Sequence, residues 1–348
     1  MTPELIRDAL RQVRYPGFSR DIVSFGLVKE ITCDPGQTTV AIEVQTRDPK
    51  IPEQIFHDCH AILDTLPDVG AVKVDIRIKD APAAAAGAGS VGKSSIPGVK
   101  HIIAVASGKG GVGKSTVASN LAVALAATGD RVGLCDCDLY GPSMAKMFGI
   151  SERPMANDQD EIIPLEACGV KLMSMGFLLE DSSPVIVRGP MATRYTQQFL
   201  RQVAWGELDY LILDLPPGTG DIQLTIVQTV SVDGAVIVTT PQEVALIDAR
   251  KAVSMFAKVN VPILGLIENM AWFECDAGKR YHLFGDGGGV REAQALNLPL
   301  LGRIPIDIAT REGGDAGRPV ALLPPDLNKV SAAFHELAAG IRAAVPNG

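Results

Sequence analysis

The chain has 348 residues, of which 47% are hydrophobic and 21% are charged, so it can bury a large core and is expected to form two domains. Its formal net charge of −8 gives no electrostatic reason to bind nucleic acid. No apolar run approaches the ~20 residues that a membrane-spanning helix needs, and the first residues lack the pattern of a secretion signal. We therefore expect a cytoplasmic protein that binds neither nucleic acid nor membranes. Its six scattered cysteines are expected to be reduced thiols.

The first 80 residues show a short alternation of helix and strand patterns. An apolar spacing predicts a helix over 4–13, and an apolar segment over 22–28 follows it. A strand over 39–44, a helix over 53–66 and a closing strand over 72–76 complete a predicted small α+β domain at 1–80. Ala, Gly and Pro dominate the next stretch, so residues 81–99 are predicted to be a linker and residues 100–348 a second domain.

In this second domain, apolar strand patterns alternate with helical stretches, which predicts an α/β fold with a doubly wound parallel sheet. Because ligands bind such sheets at the carboxyl ends of the strands, functional residues are expected there. The predicted strands cover 102–106, 131–135, 170–174, 210–213, 235–239, 263–267 and 300–304, with helices over 117–127 and 328–344.

A glycine-rich run follows the first of these strands and opens the next helix. Such a run is typical of a P-loop, in which glycines let backbone amides wrap closely around the phosphates of a nucleotide. Lys114 is predicted to neutralise the β- and γ-phosphates, and Ser115 to hold Mg²⁺. The run reads Gly108-Lys109-Gly110-Gly111-Val112-Gly113-Lys114-Ser115-Thr116.

Acidic residues end two other predicted strands, as a metal-dependent phosphoryl transfer site requires. Asp214 is expected beside the phosphates, where it can hold Mg²⁺ through water, and Gly218 can offer its backbone N–H to the γ-phosphate. Asp138 lies in the loop after the second strand of this domain and is predicted to be the catalytic carboxylate that orients or deprotonates the attacking water.

The chain lacks the Asn-Lys-x-Asp tetrapeptide that supplies a carboxylate to guanine. Asn269 instead offers an amide, which can both donate to and accept from adenine. ATP is therefore the favoured nucleotide.

The nine-residue run, with its early lysine, resembles the deviant Walker A motif of the MinD, ParA and nitrogenase-iron-protein group. This resemblance implies an ATP-sandwich homodimer in which Lys109 reaches the partner's nucleotide. Further motifs make almost the whole chain similar to the Mrp/ApbC family, which implies an ATP-hydrolysing carrier that delivers iron–sulfur clusters to apo-proteins and works with cluster assembly factors. They are Asp136-x-Asp138-x-x-Gly-Pro-Ser, Arg188-Gly189-Pro190, Asp214-Leu-Pro-Pro-Gly-Thr-Gly-Asp221, Glu268-Asn269-Met270 and, in the first domain, Arg20 to Val28.

The chain departs from this family at the cysteines. Carrier members usually have a Cys-x-x-Cys pair after the Asn-Met, so that a dimer supplies four thiolates to one [4Fe–4S] cluster. Here Cys275 stands alone, which leaves the remaining ligands to Asp276, His282, a small thiol or a partner protein, or leaves the site inactive. The alternative function is a MinD- or ParA-like positioning switch, although the acidic chain shows no basic amphipathic tail.

Overall fold

The computed structural model describes residues 2–16, 21–34, 36–45, 50–66, 69–79, 95–139, 141–177 and 200–345. The chain divides into two compact units, residues 1–90 and 91–348, and each has its own hydrophobic core. This boundary falls within the predicted linker, most of which lies outside the described residues. The motif residues Arg20 and 188–190, and the side chain of Asp221, also lie outside them. The bounds 1–80, 81–99 and 100–348 remain a prediction.

The first unit is a three-stranded sheet with two helices. Antiparallel β1 and β2 precede α2, and α2 is the crossover that makes β3 parallel to β2. The strand β1 was not predicted, because its alternation is broken by charged and polar residues; the predicted apolar segment at 22–28 forms mainly turns and ends where β1 starts. The elements are α1 (Pro3–Leu10), β1 (Val28–Asp34), β2 (Gln37–Gln45), α2 (Lys50–Leu63) and β3 (Ala71–Lys79).

The second unit is built on one large sheet whose central strands are all parallel. Its strand order is β11-β10-β9-β4-β8-β5-β7-β6, with β12 also paired to β10, and only β11 and β6 run antiparallel to their neighbours. The strands are β4 (Val99–Ala106), β5 (Val132–Asp136), β6 (Leu165–Ala167), β7 (Val170–Ser174), β8 (Leu208–Asp214), β9 (Gly234–Thr239), β10 (Ile263–Glu274), β11 (Arg280–Tyr281) and β12 (Leu300–Ile306). The helices are α3 (Lys114–Ala126), α4 (Met144–Met147), α5 (Asp221–Thr229), α6 (Glu243–Lys258), α7 (Gly288–Ala295), α8 (Ile308–Asp315) and α9 (Lys329–Ala344).

This architecture confirms the predicted doubly wound sheet. The central strands are buried on both faces, and such strands appear in a sequence as continuous apolar runs, which is why their positions could be predicted. Several strands are longer than predicted, and β10 exceeds its predicted bounds the most: it continues past residue 267 to Glu274, because its second half pairs with β12 and β11. The helix α3 also begins earlier than predicted, at Lys114, so the P-loop leads directly into its first turn. Among the described residues, no helix is long and apolar enough to cross a membrane.

Candidate functional site

The P-loop connects β4 to α3 at the carboxyl edge of the sheet, and two of its glycines have conformations that other residues adopt at a cost. Gly111 and Gly113 both have φ = +82°. A Cβ on Gly113 would lie 2.2 Å from Asn269 Nδ2, and a Cβ on Gly108 would lie 2.1 Å from the carbonyl oxygen of Asp248 in α6. The glycines of this run therefore also permit close packing against α6 and the β10 strand.

The two charged residues predicted to meet the nucleotide's phosphates and metal form a buried pair. Lys114 is 6% exposed and Asp214 is fully buried. Lys114 Nζ lies 2.5 Å from Asp214 Oδ1 and 3.2 Å from Ser115 Oγ. Burial raises the pKa of Asp214, and the charge and hydrogen bond of Lys114 oppose that rise.

The second oxygen of this carboxylate, Asp214 Oδ2, is buried and has no hydrogen-bond partner within the part of the chain that the structure describes. A buried carboxylate oxygen without a donor carries a large desolvation cost, which a ligand or cation at that position would offset. The hydroxyl of Ser115 and a carboxylate are oxygen ligands of the kind that Mg²⁺ takes.

A second buried carboxylate, Asp136, was not predicted as a site residue. It ends β5 directly beside Asp214 at the end of β8. Its Oδ1 accepts from the Asp138 backbone N–H at 3.1 Å, and its Oδ2 accepts from the Ser143 backbone N–H and the Ser174 hydroxyl, each at 3.0 Å. Burial first, and then the neighbouring Asp214 charge, raise the pKa of Asp136 to about 7. The sequence carried a signal for this role, since Asp136 closes an otherwise apolar buried strand.

Asp136 therefore fixes the loop that carries the predicted catalytic carboxylate. Asp138 is half-buried, and its Oδ1 accepts from the Gly141 backbone N–H at 3.2 Å. The hydrogen bonds of Asp136 attach both ends of this loop, at Asp138 and at Ser143, to the sheet. The position of Asp138 is thus determined by the sheet through a buried anchor.

Two groups predicted to contact the nucleotide form hydrogen bonds with the P-loop backbone in this structure. Asn269 Nδ2 donates to the Val112 carbonyl at 2.8 Å, and Asn269 is 6% exposed. The Gly218 backbone N–H donates to the Ser107 carbonyl at 3.0 Å, with φ = +97° at Gly218. The strand end of β10 and the loop after β8 therefore hold the P-loop in its conformation.

Lys109 lies half-exposed at the start of the P-loop, where its carbonyl accepts from the Ser107 hydroxyl at 3.0 Å. No described residue forms an ion pair or hydrogen bond with its ammonium group. Thr116 follows in the first turn of α3, where its carbonyl accepts from Asn120 Nδ2 at 2.8 Å.

Cys275 lies apart from these residues in the sequence, at the turn between β10 and β11. Its backbone N–H donates to the Lys279 carbonyl at 3.0 Å, and its carbonyl accepts from the Gly278 N–H at 2.8 Å. The thiol belongs to a half-buried residue of this hairpin. Five residues of β10, 270–274, separate it from Asn269, which holds the P-loop.

Cation–π contacts and ion pairs hold this hairpin in place. The guanidinium groups of Arg280 and Arg303 lie 4.7 and 5.2 Å from the ring centre of Trp272. Arg303 is bound in turn by the fully buried Glu268, at 2.6 Å. Glu274 accepts from Lys329 at 2.8 Å and from Arg280 at 3.0 Å, and these two hydrogen bonds lower the pKa of Glu274.

Within the described ranges, no group of three or more His, Cys, Asp or Glu side chains is placed to hold a metal ion.

The fold and the P-loop geometry define a P-loop NTPase of the MinD and ParA class. The family model for the NUBPL iron-transfer P-loop NTPases matches residues 98–342, and the model for iron-sulfur cluster assembly proteins matches residues 3–75. The chain therefore belongs to the family of iron-transfer P-loop NTPases.

Individual relatives agree with this assignment. The chain is 43% identical to an iron-sulfur cluster carrier protein of Synechocystis sp., over 94% of this chain and 93% of that protein. A solved nucleotide-binding protein of Archaeoglobus fulgidus in complex with ADP is 40% identical, with a TM-score of 0.59 over 67% of this chain and 92% of that one. The MinD cell division ATPase of Pyrococcus furiosus is 26% identical, with a TM-score of 0.55 over 70% of this chain and 98% of that one.

Proposed function

We propose that this protein is an ATP-hydrolysing homodimer that carries iron–sulfur clusters, exchanges them with cluster assembly factors and delivers them to apo-proteins. The observation that carries the proposal is the buried Lys114–Asp214 pair beneath an intact P-loop, in a chain whose sequence matches cluster carriers over nearly its full length. The match of residues 3–75 to cluster assembly proteins supports the same function for the first unit.

The nucleotide chemistry follows from the groups at the carboxyl edge of the sheet. Lys114 would transfer its contact from Asp214 to the β- and γ-phosphates, and Asp138 would position the attacking water. Lys109, whose ammonium group pairs with no described residue, is available to reach the partner's γ-phosphate. Opening of the Gly218 and Asn269 contacts would free an N–H for the γ-phosphate and an amide for adenine. The ADP bound by the Archaeoglobus fulgidus relative supports an adenine nucleotide.

Mg²⁺ fits the same place, because Asp214 Oδ2 is buried without a donor and Ser115 Oγ lies beside Lys114. Ser115 would bind the ion directly, and Asp214 would hold it through water. When bound, the ion would supply positive charge that stabilises the negative charge of the phosphates.

The cluster is cargo, and Cys275 is the residue we propose to hold it. Two Cys275 thiolates from a homodimer supply two ligands of a [4Fe–4S] cluster, and the remaining two come from Asp276, His282, a small thiol or the acceptor protein. The hairpin contacts made by Trp272 and Glu274 keep Cys275 in a defined position.

A MinD-like positioning switch is not favoured. The MinD of Pyrococcus furiosus shares 26% identity with this chain, against 43% for the Synechocystis carrier, which also spans the first unit. A cytoplasmic location and the lack of nucleic-acid or membrane binding remain part of the proposal.

Anaerobic reconstitution tests the cargo site. Iron and sulfide are counted per dimer, and charge-transfer absorption is recorded, for the wild type, for Cys275→Ala and for Cys168→Ala, a matched variant at another half-buried cysteine. We expect a cluster in the wild type and in Cys168→Ala but not in Cys275→Ala. If Cys275→Ala retains the cluster, Cys275 is not a ligand; if none of the three binds one, the protein does not carry the cluster itself.

A further inference from the structure

A buried amide in the first turn of helix α5 contacts the loop that runs from Asp214 to Gly218. Gln223 is 1% exposed, and its Nε2 donates a hydrogen bond to the Pro216 carbonyl. Its other amide atom, Oε1, is buried and accepts from no group in the described part of the chain. The contact determines the orientation of the amide, because a flipped amide would set its oxygen against the carbonyl oxygen.

The unpartnered oxygen makes Gln223 a poor choice of residue for stability alone. A buried acceptor without a donor destabilises the folded protein, and an apolar side chain of similar size would avoid that cost. A buried polar group of this kind therefore needs another explanation, of which a role in the reaction is one. Gln223 holds the loop that carries Asp214 and Gly218, so such a role concerns the phosphates of the nucleotide.

Hydrogen bonds attach this loop at both ends and at its centre. At the ends, the Leu215 N–H donates to the Val105 carbonyl and the Gly218 N–H to the Ser107 carbonyl, each at 3.0 Å. The centre consists of two prolines, which have no N–H to donate. It is held through the carbonyl of the first of them, Pro216, by the α5 amide. A donor from outside the loop therefore fixes its centre.

One of these attachments has to open if the Gly218 N–H is to reach the γ-phosphate, namely the bond to Ser107. The bond to the Pro216 carbonyl does not have to open, and it then holds the loop only two residues away from Gly218. A loop held so closely presents its N–H in a defined direction, which reduces the conformational entropy that binding has to overcome. The amide thus limits the part of the loop that moves.

We propose that Gln223 is a positioning residue for the γ-phosphate: by holding the Pro216 carbonyl, it directs the Gly218 N–H toward a triphosphate and lets the site distinguish ATP from ADP. This rests on the proposed function, because it requires the site to bind and hydrolyse ATP. ADP has no γ-phosphate, so with ADP the Gly218 N–H keeps its bond to Ser107. Gln223 therefore affects the binding of the triphosphate and leaves that of the diphosphate unchanged.

The test replaces Gln223 by Met and, separately, by Leu, two apolar residues of similar size. For the full chain with Mg²⁺, kcat for ATP hydrolysis is measured, and calorimetry gives Kd for ADP and for the non-hydrolysable analogue AMP-PNP. The matched control is Ser331→Ala, because Ser331 is also buried and its hydroxyl also donates to a backbone carbonyl, that of Leu323.

We expect both Gln223→Met and Gln223→Leu to lower kcat and weaken AMP-PNP binding by about ten-fold, the effect of losing one hydrogen bond to a charged group. ADP should bind as it does to the wild type, which also shows that the variant site is folded. The control should match the wild type in all three quantities.

Two results would overturn the proposal. If ADP and AMP-PNP binding weaken together, Gln223 only supports the fold of the site; if kcat and both affinities keep their wild-type values, Gln223 does not position the loop. Failure of the proposed function is seen separately, because the wild type itself would then hydrolyse no ATP.

Discussion

Gly111 and Gly113 offer a matched pair of substitutions, because both have φ = +82° but only one of them meets a side chain. An alanine at Gly111 has open space, whereas an alanine at Gly113 would place its Cβ 2.2 Å from Asn269 Nδ2. The left-handed conformation alone costs about 1–2 kcal/mol for a residue with a Cβ. Displacing Asn269 also leaves the buried Val112 carbonyl without its donor, which costs about 1–3 kcal/mol more.

We therefore expect Gly111→Ala to lower the free energy of unfolding by about 1–2 kcal/mol and Gly113→Ala by about 2–5 kcal/mol. Urea unfolding without nucleotide, followed by tryptophan fluorescence, measures this, because both tryptophans (Trp205 and Trp272) belong to the second unit. In Gly113→Ala with Asn269→Ala, the hydrogen bond is lost only once, so the combined cost should be smaller than the sum of the single costs. Equal costs for the two glycines, or strict additivity, would refute the proposed packing.

The remaining predictions concern charge. Lys114→Met should abolish ATP turnover and destabilise the second unit by about 3–5 kcal/mol, because it leaves Asp214 buried and unpaired. Adding Asp214→Asn should restore stability but not turnover. ATP turnover in either variant would contradict the assignment of the nucleotide site. Lys109→Ala should lower turnover and ATP-dependent dimerisation together without changing the melting temperature; if it lowers neither, Lys109 does not act across the dimer. The pKa of Asp136 is raised from 3.8 to about 7, so between these two pH values the folded protein keeps a proton that the unfolded chain releases. The contribution of Asp136 to stability therefore falls as the pH rises from 3.8 to about 7, and it is constant above about pH 7. Asp136→Asn removes this dependence, so the stability advantage of the wild type, measured by urea unfolding, should shrink from about pH 5 to about pH 7.5; an advantage that grows would contradict it.

The sequence contained enough information to locate the sheet and the P-loop. A parallel strand buried on both faces needs a continuous apolar run, and a phosphate-binding loop needs glycines at fixed positions, so both leave strong local patterns. The strand β1 leaves no such pattern, because one half-exposed strand of a small sheet tolerates charged residues. The extension of β10 to Glu274 depends on pairing with β12, which is distant in the sequence, and with β11, which has only two residues. Local sequence patterns therefore could not predict it.

The same distinction explains what was missed in the site. Asp138 and Asp214 were singled out because acids at strand ends suggest metal chemistry. Asp136 was not singled out, and the contact of Asn269 with the P-loop was not predicted, because both features depend on hydrogen-bond partners from other segments. The Ser174 hydroxyl donates to Asp136, and Asn269 donates to the Val112 carbonyl. Contacts between distant segments follow from the packed fold, and a motif alone does not contain them.

The measurement that tests the central claim is the rate of cluster transfer from the reconstituted protein to an apo-ferredoxin, followed by circular dichroism with and without Mg²⁺ and ATP. The wild type should transfer its cluster at a rate that changes when ATP is added, and Lys114→Met combined with Asp214→Asn should transfer at a rate that does not respond. If the wild-type rate is the same with and without ATP, the nucleotide site does not control the cargo, and the account of an ATP-switched carrier is contradicted.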